Sequence, residues 1–313
     1  MNGLRKGLRR HGEHVLGEAM HTLPIFGTVV RAYGFALGRF GTVLRLSWLW
    51  MAIYAAALFT WGPDVNAAMA KFQQTQDPTL VQDMLGQIFV LAIVQLLAQV
   101  IVMVALLRAV ISQNYREGVP LHLFSGMPDL RVLGVILLLV IALMAGAIGL
   151  AMVVGLVAAI LTAAGAVSAL PILLLALYAL IIWVGLRISL VMAVASVEPN
   201  LGVERSWELT KGNVLRLLVS IILLALPFVI VLGAVLFAVV VPAFGPLPNI
   251  EGLSQQDAQK AIQTYVMTVQ TAFQANWPVY VVVTTLLTVF GAGLQAGFFG
   301  HAYRSLNGMD DAG

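Results

Sequence analysis

The sequence predicts an all-α, polytopic membrane bundle of six transmembrane helices, and three observations carry that prediction. Between Arg131 and Arg187 the chain runs for 55 residues without an Asp, Glu, Lys or Arg. Over all 313 residues, 60% are hydrophobic and 10% charged, with a mean hydropathy of +0.95, whereas soluble domains are about 25% charged. Apolar segments near 42–61, 85–112, 131–158, 168–197, 213–242 and 277–302 each reach the ~20 residues that a hydrocarbon core requires. No water at that depth meets the backbone, so segments of this kind are read as helices.

Residues 1–20 form a basic tail carrying Arg5, Lys6, Arg9 and Arg10, with no apolar core and small-residue cleavage site that would mark a secretory signal. Such a cluster reads as a solvated cytoplasmic tail drawn to anionic headgroups, or as a partner site. Over residues 21–41, Phe26, Val29, Val30, Tyr33, Ala36, Leu37 and Phe40 recur at helical spacing while Arg31 and Arg39 project elsewhere. This predicts an amphipathic helix in the membrane interface, serving as an anchor or as a mobile gate or docking element. The six-span domain then occupies 42–306, followed by a short tail over 307–313.

The long uncharged stretch must hold two spans, and it is expected to turn near Ala163 to Gly165, with Pro171 opening the second. Odd-numbered spans begin alike: Gly41-Thr42-Val43-Leu44-Arg45-Leu46, Leu130-Arg131-Val132-Leu133 and Gly212-Asn213-Val214-Leu215-Arg216-Leu217. Three related hairpins would give this pattern, and so would the general use of Arg anchors at helix starts. Between the fifth and sixth spans, Ser254 followed by Asp257 reads as a helix start, with the helix running to about Ala275. That helix rests on the membrane surface or covers a cavity.

Orientation follows from the connections. Of 17 Lys and Arg residues, 15 lie in the tail, the 113–130 and 198–212 loops, the C-terminus and their flanks, while the other two loops hold only Lys71 and Lys260. The positive-inside rule then puts both termini in the cytoplasm.

Arg187 leads the candidate functional residues, because an ionisable group within a span is costly and functional by default. It lies about 16 residues past Pro171, roughly 24 Å at 1.5 Å per residue, and so near the cytoplasmic headgroups. Snorkelling or a helix–helix bond explains it, as does binding of a lipid phosphate or another anion by the forked guanidinium. Gln95 and Gln99 share one face of the second span, and Gln295 lies between Gly293 and Gly297 in the sixth. Amides of this kind bond between helices or line a polar pathway. Gly293 with Gly297, Ala142 with Gly146 and Ala145 with Gly149 are spaced for close helix packing.

Other chemistries lack support. The chain has no cysteine, so thiolate catalysis and disulfides are excluded. His11, His14, His21, His122 and His301 have no metal-ligand spacing. No phosphate loop, nucleophile elbow or paired carboxylates appear, so neither enzyme activity nor a cofactor is expected, and nothing indicates nucleic acid.

The most distinctive stretch joins the fourth and fifth spans: Trp183, Arg187, Glu198, then Glu204-Arg205-Ser206-Trp207-Glu208-Leu209-Thr210-Lys211-Gly212-Asn213 and Arg216. It resembles the bacterial family named for the membrane domain of glycerophosphoryl diester phosphodiesterase, as does the sixth span's His301-Ala302-Tyr303-Arg304-Ser305-Leu306 ending. The resemblance covers about 45 residues and implies a six-span bacterial inner-membrane fold of undefined activity. The family's catalytic barrel, fused to some members, is absent from these residues.

Read structurally, Ser206, Trp207, Thr210 and Gly212 form a short interfacial helix with Trp207 at headgroup level, Gly212 ending it and Asn213 capping the next span. Read functionally, Arg187, Arg205, Lys211 and Arg216 gather around one lipid headgroup. The expectation is a non-catalytic inner-membrane protein that binds membrane lipids or a protein partner, including a second copy, through a basic cytoplasmic face. The rivals are a transporter or channel for a small or lipid-like solute and an accessory subunit of a larger complex.

Overall fold

A computed structural model describes residues 21–75, 77–113, 126–245 and 248–309. The basic tail, with His11 and His14, and His122 lie outside the described residues. Among the described residues the chain is all-α, and six helical stretches are long and apolar enough to cross a membrane: Phe40–Met69, Met84–Ser112, Met127–Ala163, Leu170–Val197, Val214–Val235 and Trp277–Leu306. The protein is a multi-pass helical membrane bundle.

Helix α1 spans Ile25–Gly38, α2 Phe40–Thr75, α3 Pro78–Ser112 and α4 Met127–Ala163. The fourth span is α5, Leu170–Arg187, followed by α6, Val191–Val197; α7 is Val203–Leu209 and α8 Val214–Phe244. Last come α9, Gln255–Ala275, and α10, Trp277–Leu306.

Local chemistry sets most boundaries. Helix α4 ends at Ala163, Gly165 takes φ +70°, and Pro171 sits in the first turn of α5, as expected. Asp77 caps α3: bonds from the Thr79 backbone N–H (2.9 Å) and hydroxyl (2.8 Å) hold its carboxyl below the usual carboxylate range. Ser254 accepts from the Asp257 N–H and opens α9, which ends at Ala275. Helix α2, expected to stop near residue 61, runs through Pro63 to Thr75. Here Gly62 lies so close to Trp277 that a side chain would have no room.

Helix α3 is central. Half of its most apolar stretch is buried, against 11% for the corresponding stretches of the third, fourth and fifth spans. It packs on α2 and α10, while α10 also packs on α1 and α2. Glycine permits the closest approaches: a Cβ at Gly297 would stand 3.1 Å from the Ala32 backbone, and one at Gly293 3.0 Å from Val43. Gly146 and Gly149 differ from that expectation, since they face open space within this chain, with Ala142 and Ala145 also exposed.

Helix α1 buries Thr28, Ala32, Phe35 and Ala36 against the bundle, and the Tyr33 hydroxyl donates to the Leu224 carbonyl of α8 at 2.7 Å. The apolar face read from the sequence is therefore divided. Ala36 packs inward, while Phe26, Val30 and Leu37 are 74%, 68% and 64% exposed and suited to lipid.

Burial is concentrated at the end of the bundle that carries Leu23 and Leu306. In α4 the buried residues are Asp129, Val132 and Val135, in α5 Leu186 and Arg187, and in the described part of α8 Leu217, Ser220 and Leu224. The repeated Arg anchors serve that end. Arg131 donates to the Glu198 carbonyl, and Arg216 donates to the Leu23 carbonyl at 3.2 Å.

Overpacking a close helix contact costs about 1–3 kcal/mol. Gly297→Leu should therefore lower thermal stability in detergent by that order, whereas Gly149→Leu, at an open position, should leave the unfolding midpoint nearly unchanged.

Candidate functional site

Two polar constellations stand in this apolar frame. The first begins where the fourth span breaks. Helix α5 ends at Arg187 and α6 starts at Val191, so the span expected as one helix over 168–197 contains an interruption at Ile188–Leu190. Its backbone is met from α7. The Ser206 hydroxyl donates to the Arg187 carbonyl at 3.0 Å and accepts from the Leu190 N–H at 3.2 Å. Thr210, one turn later, places its hydroxyl 3.2 Å from the same carbonyl and 2.8 Å from the Ser206 carbonyl. Both residues are fully buried. The i, i+4 spacing of Ser206 and Thr210 is thus a device for satisfying a broken helix away from water.

Arg187 sits on this joint. Its guanidinium carbon lies 4.4 Å from the ring centre of Trp207 and 5.8 Å from that of Trp183, and the two indoles meet edge to face at 5.4 Å. Arg187 is 7% exposed. Nη1 reaches the Thr210 hydroxyl at 3.5 Å, whereas Nε is buried without a hydrogen-bond partner among the described residues. No carboxylate approaches it within 4.0 Å among the described ion pairs. Cation–π contact supplies ~2 kcal/mol when desolvated, less than the several kcal/mol that burial of an ion costs. The indole faces and the Thr210 hydroxyl thus offset only part of the cost of burying this charge.

The other three expected cations go elsewhere. Arg205 donates to Asn307, the C-cap of α10, at 2.7 Å and lies near Glu198 (3.9 Å) and Glu208 (3.4 Å). The Tyr303 hydroxyl donates to Glu198 at 2.8 Å, so Glu198, Arg205, Tyr303 and Asn307 tie the α6–α7 segment to the end of α10. Arg216 is turned to the Leu23 carbonyl, and Lys211 is exposed. Gly212 ends the motif at φ +77°, in the left-handed region that favours glycine. Asn213 does not cap α8 with its side chain as expected. Its amide oxygen instead accepts from the Leu23 N–H at 3.0 Å, and its amide nitrogen donates to the His21 carbonyl at 3.2 Å. The segment leading into α1 is pinned this way.

The second constellation is a cavity of about 450 Å³ between α2, α3, α8 and α10. Gln95, Gln99 and Gln295 all line it, joined by Tyr54, Tyr280, Thr284 and Thr288. The three carboxamides make no hydrogen bond among the described residues; they face the cavity and not one another's helices. Arg187 does not line it. Sequence reasoning found the glutamines but missed the tyrosines and threonines, although Tyr280, Thr284 and Thr288 recur every fourth residue ahead of Gln295 on α10. Among the described residues no cluster of His, Asp and Glu is arranged to hold a metal ion.

Comparison with protein-family models, with curated proteins and with solved structures finds no match.

Removing the Ser206 hydroxyl strands the buried Leu190 N–H and leaves the Arg187 carbonyl to Thr210 alone, at about 1–3 kcal/mol for an unsatisfied group. Ser206→Ala should thus lower the thermal midpoint clearly, and Ser254→Ala, at an exposed cap, should lower it less.

Proposed function

We propose that this is a non-catalytic bacterial inner-membrane protein, with both termini cytoplasmic, that binds the anionic headgroup of a membrane lipid at Arg187. The observation that carries the reading is a buried guanidinium set against two indoles with no carboxylate in ion-pair distance among the described residues. A planar fork of donors suits a phosphate oxygen pair. The indoles keep the guanidinium in one plane and contribute apolar surface beside which glycerol and acyl chains rest. Lys211, exposed and following Thr210, adds long-range attraction for an anionic surface.

The charge distribution supports the orientation. Arg187 belongs to the end of the bundle where the basic connections lie, and there anionic phospholipid is the abundant anion. The resemblance of the Trp183 to Arg216 stretch to a family of membrane domains agrees with a role in the bilayer. A transporter built on the groups singled out in the sequence needs one cavity shared by Arg187 and the three glutamines. The glutamines share a cavity and Arg187 stands outside it, which favours lipid binding as the role of Arg187.

Native mass spectrometry of the full chain, extracted in the mildest workable detergent, tests this. The wild type should retain a stoichiometric anionic phospholipid. Arg187→Met should weaken it about 10- to 100-fold, the equivalent of a charge-assisted hydrogen bond of roughly 1.5–3 kcal/mol. Arg205→Met should keep the lipid while losing stability. A lipid-free wild type, or full retention in Arg187→Met, would overturn the reading.

A further inference from the structure

The cavity between α2, α3, α8 and α10 has a chemistry unlike that of the Arg187 site. Its polar groups are carboxamides, phenols and hydroxyls, and no charged side chain is among the described residues that line it. The Thr284 hydroxyl donates back to the Tyr280 carbonyl at 2.7 Å and that of Thr288 to the Thr284 carbonyl at 2.8 Å, which leaves their oxygens to accept. Gln95, Gln99 and Gln295 keep both amide donors and carbonyl acceptors unbonded among the described residues. The lining therefore presents donors and acceptors together, without net charge.

Depth sharpens this. The midpoint of Met84–Ser112 is residue 98 and that of Trp277–Leu306 lies between 291 and 292, so each glutamine stands within about one turn of mid-span. A charge at that depth is expensive, and an unsatisfied amide in hydrocarbon costs several kcal/mol. The three amides need a hydrogen-bonding occupant, and a neutral one is the least costly to bring there.

The cavity also has a route from the lipid. Helices α2, α3 and α10 pack on one another, but the fourth wall, Phe228 and Leu232 of α8, belongs to a helix that packs chiefly on α1, α5 and α9. Helix α8 has no substantial packing on α2 or α3, which makes the seam between them the loosest wall, and Phe228 and Leu232 of α8, Met51 of α2 and Met103 of α3 are apolar parts of the lining.

We propose that this cavity binds an uncharged amphiphile, with a head bearing hydroxyl or amide groups against the glutamines and an apolar chain leaving through the α8 seam. The site is separate from the Arg187 site in residues and ligand charge, and does not rest on it.

The test uses the full chain in phosphatidylcholine nanodiscs with two photoactivatable probes of identical acyl chains, a neutral diacylglycerol and an anionic phosphatidic acid. Labelled peptides are mapped by mass spectrometry. The diacylglycerol should label the peptides around Gln95–Met103 and Thr288–Gln295 about tenfold more than phosphatidic acid, in competition with unlabelled diacylglycerol.

Gln95→Leu with Gln295→Leu keeps side-chain bulk but removes the amides, and should cut labelling about tenfold. Gly291→Leu fills the cavity from a position where a Cβ meets only the Phe228 ring, at 3.6 Å, and should cut labelling similarly. Arg187→Met should leave this labelling intact, so the two sites fail independently. Equal labelling by phosphatidic acid, unchanged labelling in both cavity variants, or no labelling of these peptides would overturn the proposal and leave a cavity filled by water alone.

Discussion

The interruption of the fourth span at Ile188–Leu190 is the constraint from which the rest of this bundle is organised. Backbone polar groups freed inside an apolar bundle must be met by protein, since lipid offers nothing. Ser206 and Thr210 meet them, and to do so α7 must fold back against the end of α5. That placement sets Trp207 over Arg187 and brings Arg205 to Asn307 at the C-cap of α10. It also leaves Glu198 where Arg131 holds its carbonyl and Tyr303 its carboxylate. One broken helix thus commits residues from α4, α5, α7 and α10 to a single joint.

The joint explains why packing is concentrated at one end. Lipid is as apolar as leucine, so no hydrophobic force closes the spans on one another along their full length; contact, hydrogen bonding and small residues do. Hydrogen bonds cluster around the α6–α7 segment and the entry to α1, and Gly293 and Gly297 of α10 admit Val43 and Ala32. Beyond it α4 and α5 run largely exposed, and α8 follows α1, α5 and α9 without closing on α2 and α3. A cavity at mid-span between tightly packed and loosely packed helices is the geometric result.

Features governed by local chemistry were legible in the sequence. The turn at Ala163 to Gly165 before Pro171, the Ser254 start and Ala275 end of α9, and the existence of all six spans follow from apolar length, glycine and capping. Features that depend on a distant partner were not. Between Val184 and Leu190 only Gly185 and Ser189 hint at a break, and Ser206, 16 residues beyond Leu190, is what makes it tolerable. Asn213 carries a capping residue's identity, yet His21 and Leu23 claim its amide from 192 and 190 residues away. Arg205 and Arg216 read as free cations until α10 and the α1 entry are in place. The glutamines were recognisable as polar residues in spans; that α3 and α10 turn all three into one space is a property of packing.

Surroundings sort the polar groups of this protein by charge, and that sorting limits what each could recognise. Arg187 stands at the break in its span, against the faces of Trp183 and Trp207, which lower the cost of its charge. The glutamines line a cavity with no charged side chain among its described lining, where such relief is absent and only uncharged polarity persists. An anionic headgroup at Arg187 and a neutral head among the glutamines would therefore not be interchangeable ligands. Carrying a phosphate into the glutamine cavity would bring an uncompensated charge to the costliest depth, and a neutral head beside Arg187 would leave the guanidinium unpaired. The two sites are more simply read as serving different molecules within one bilayer-embedded frame.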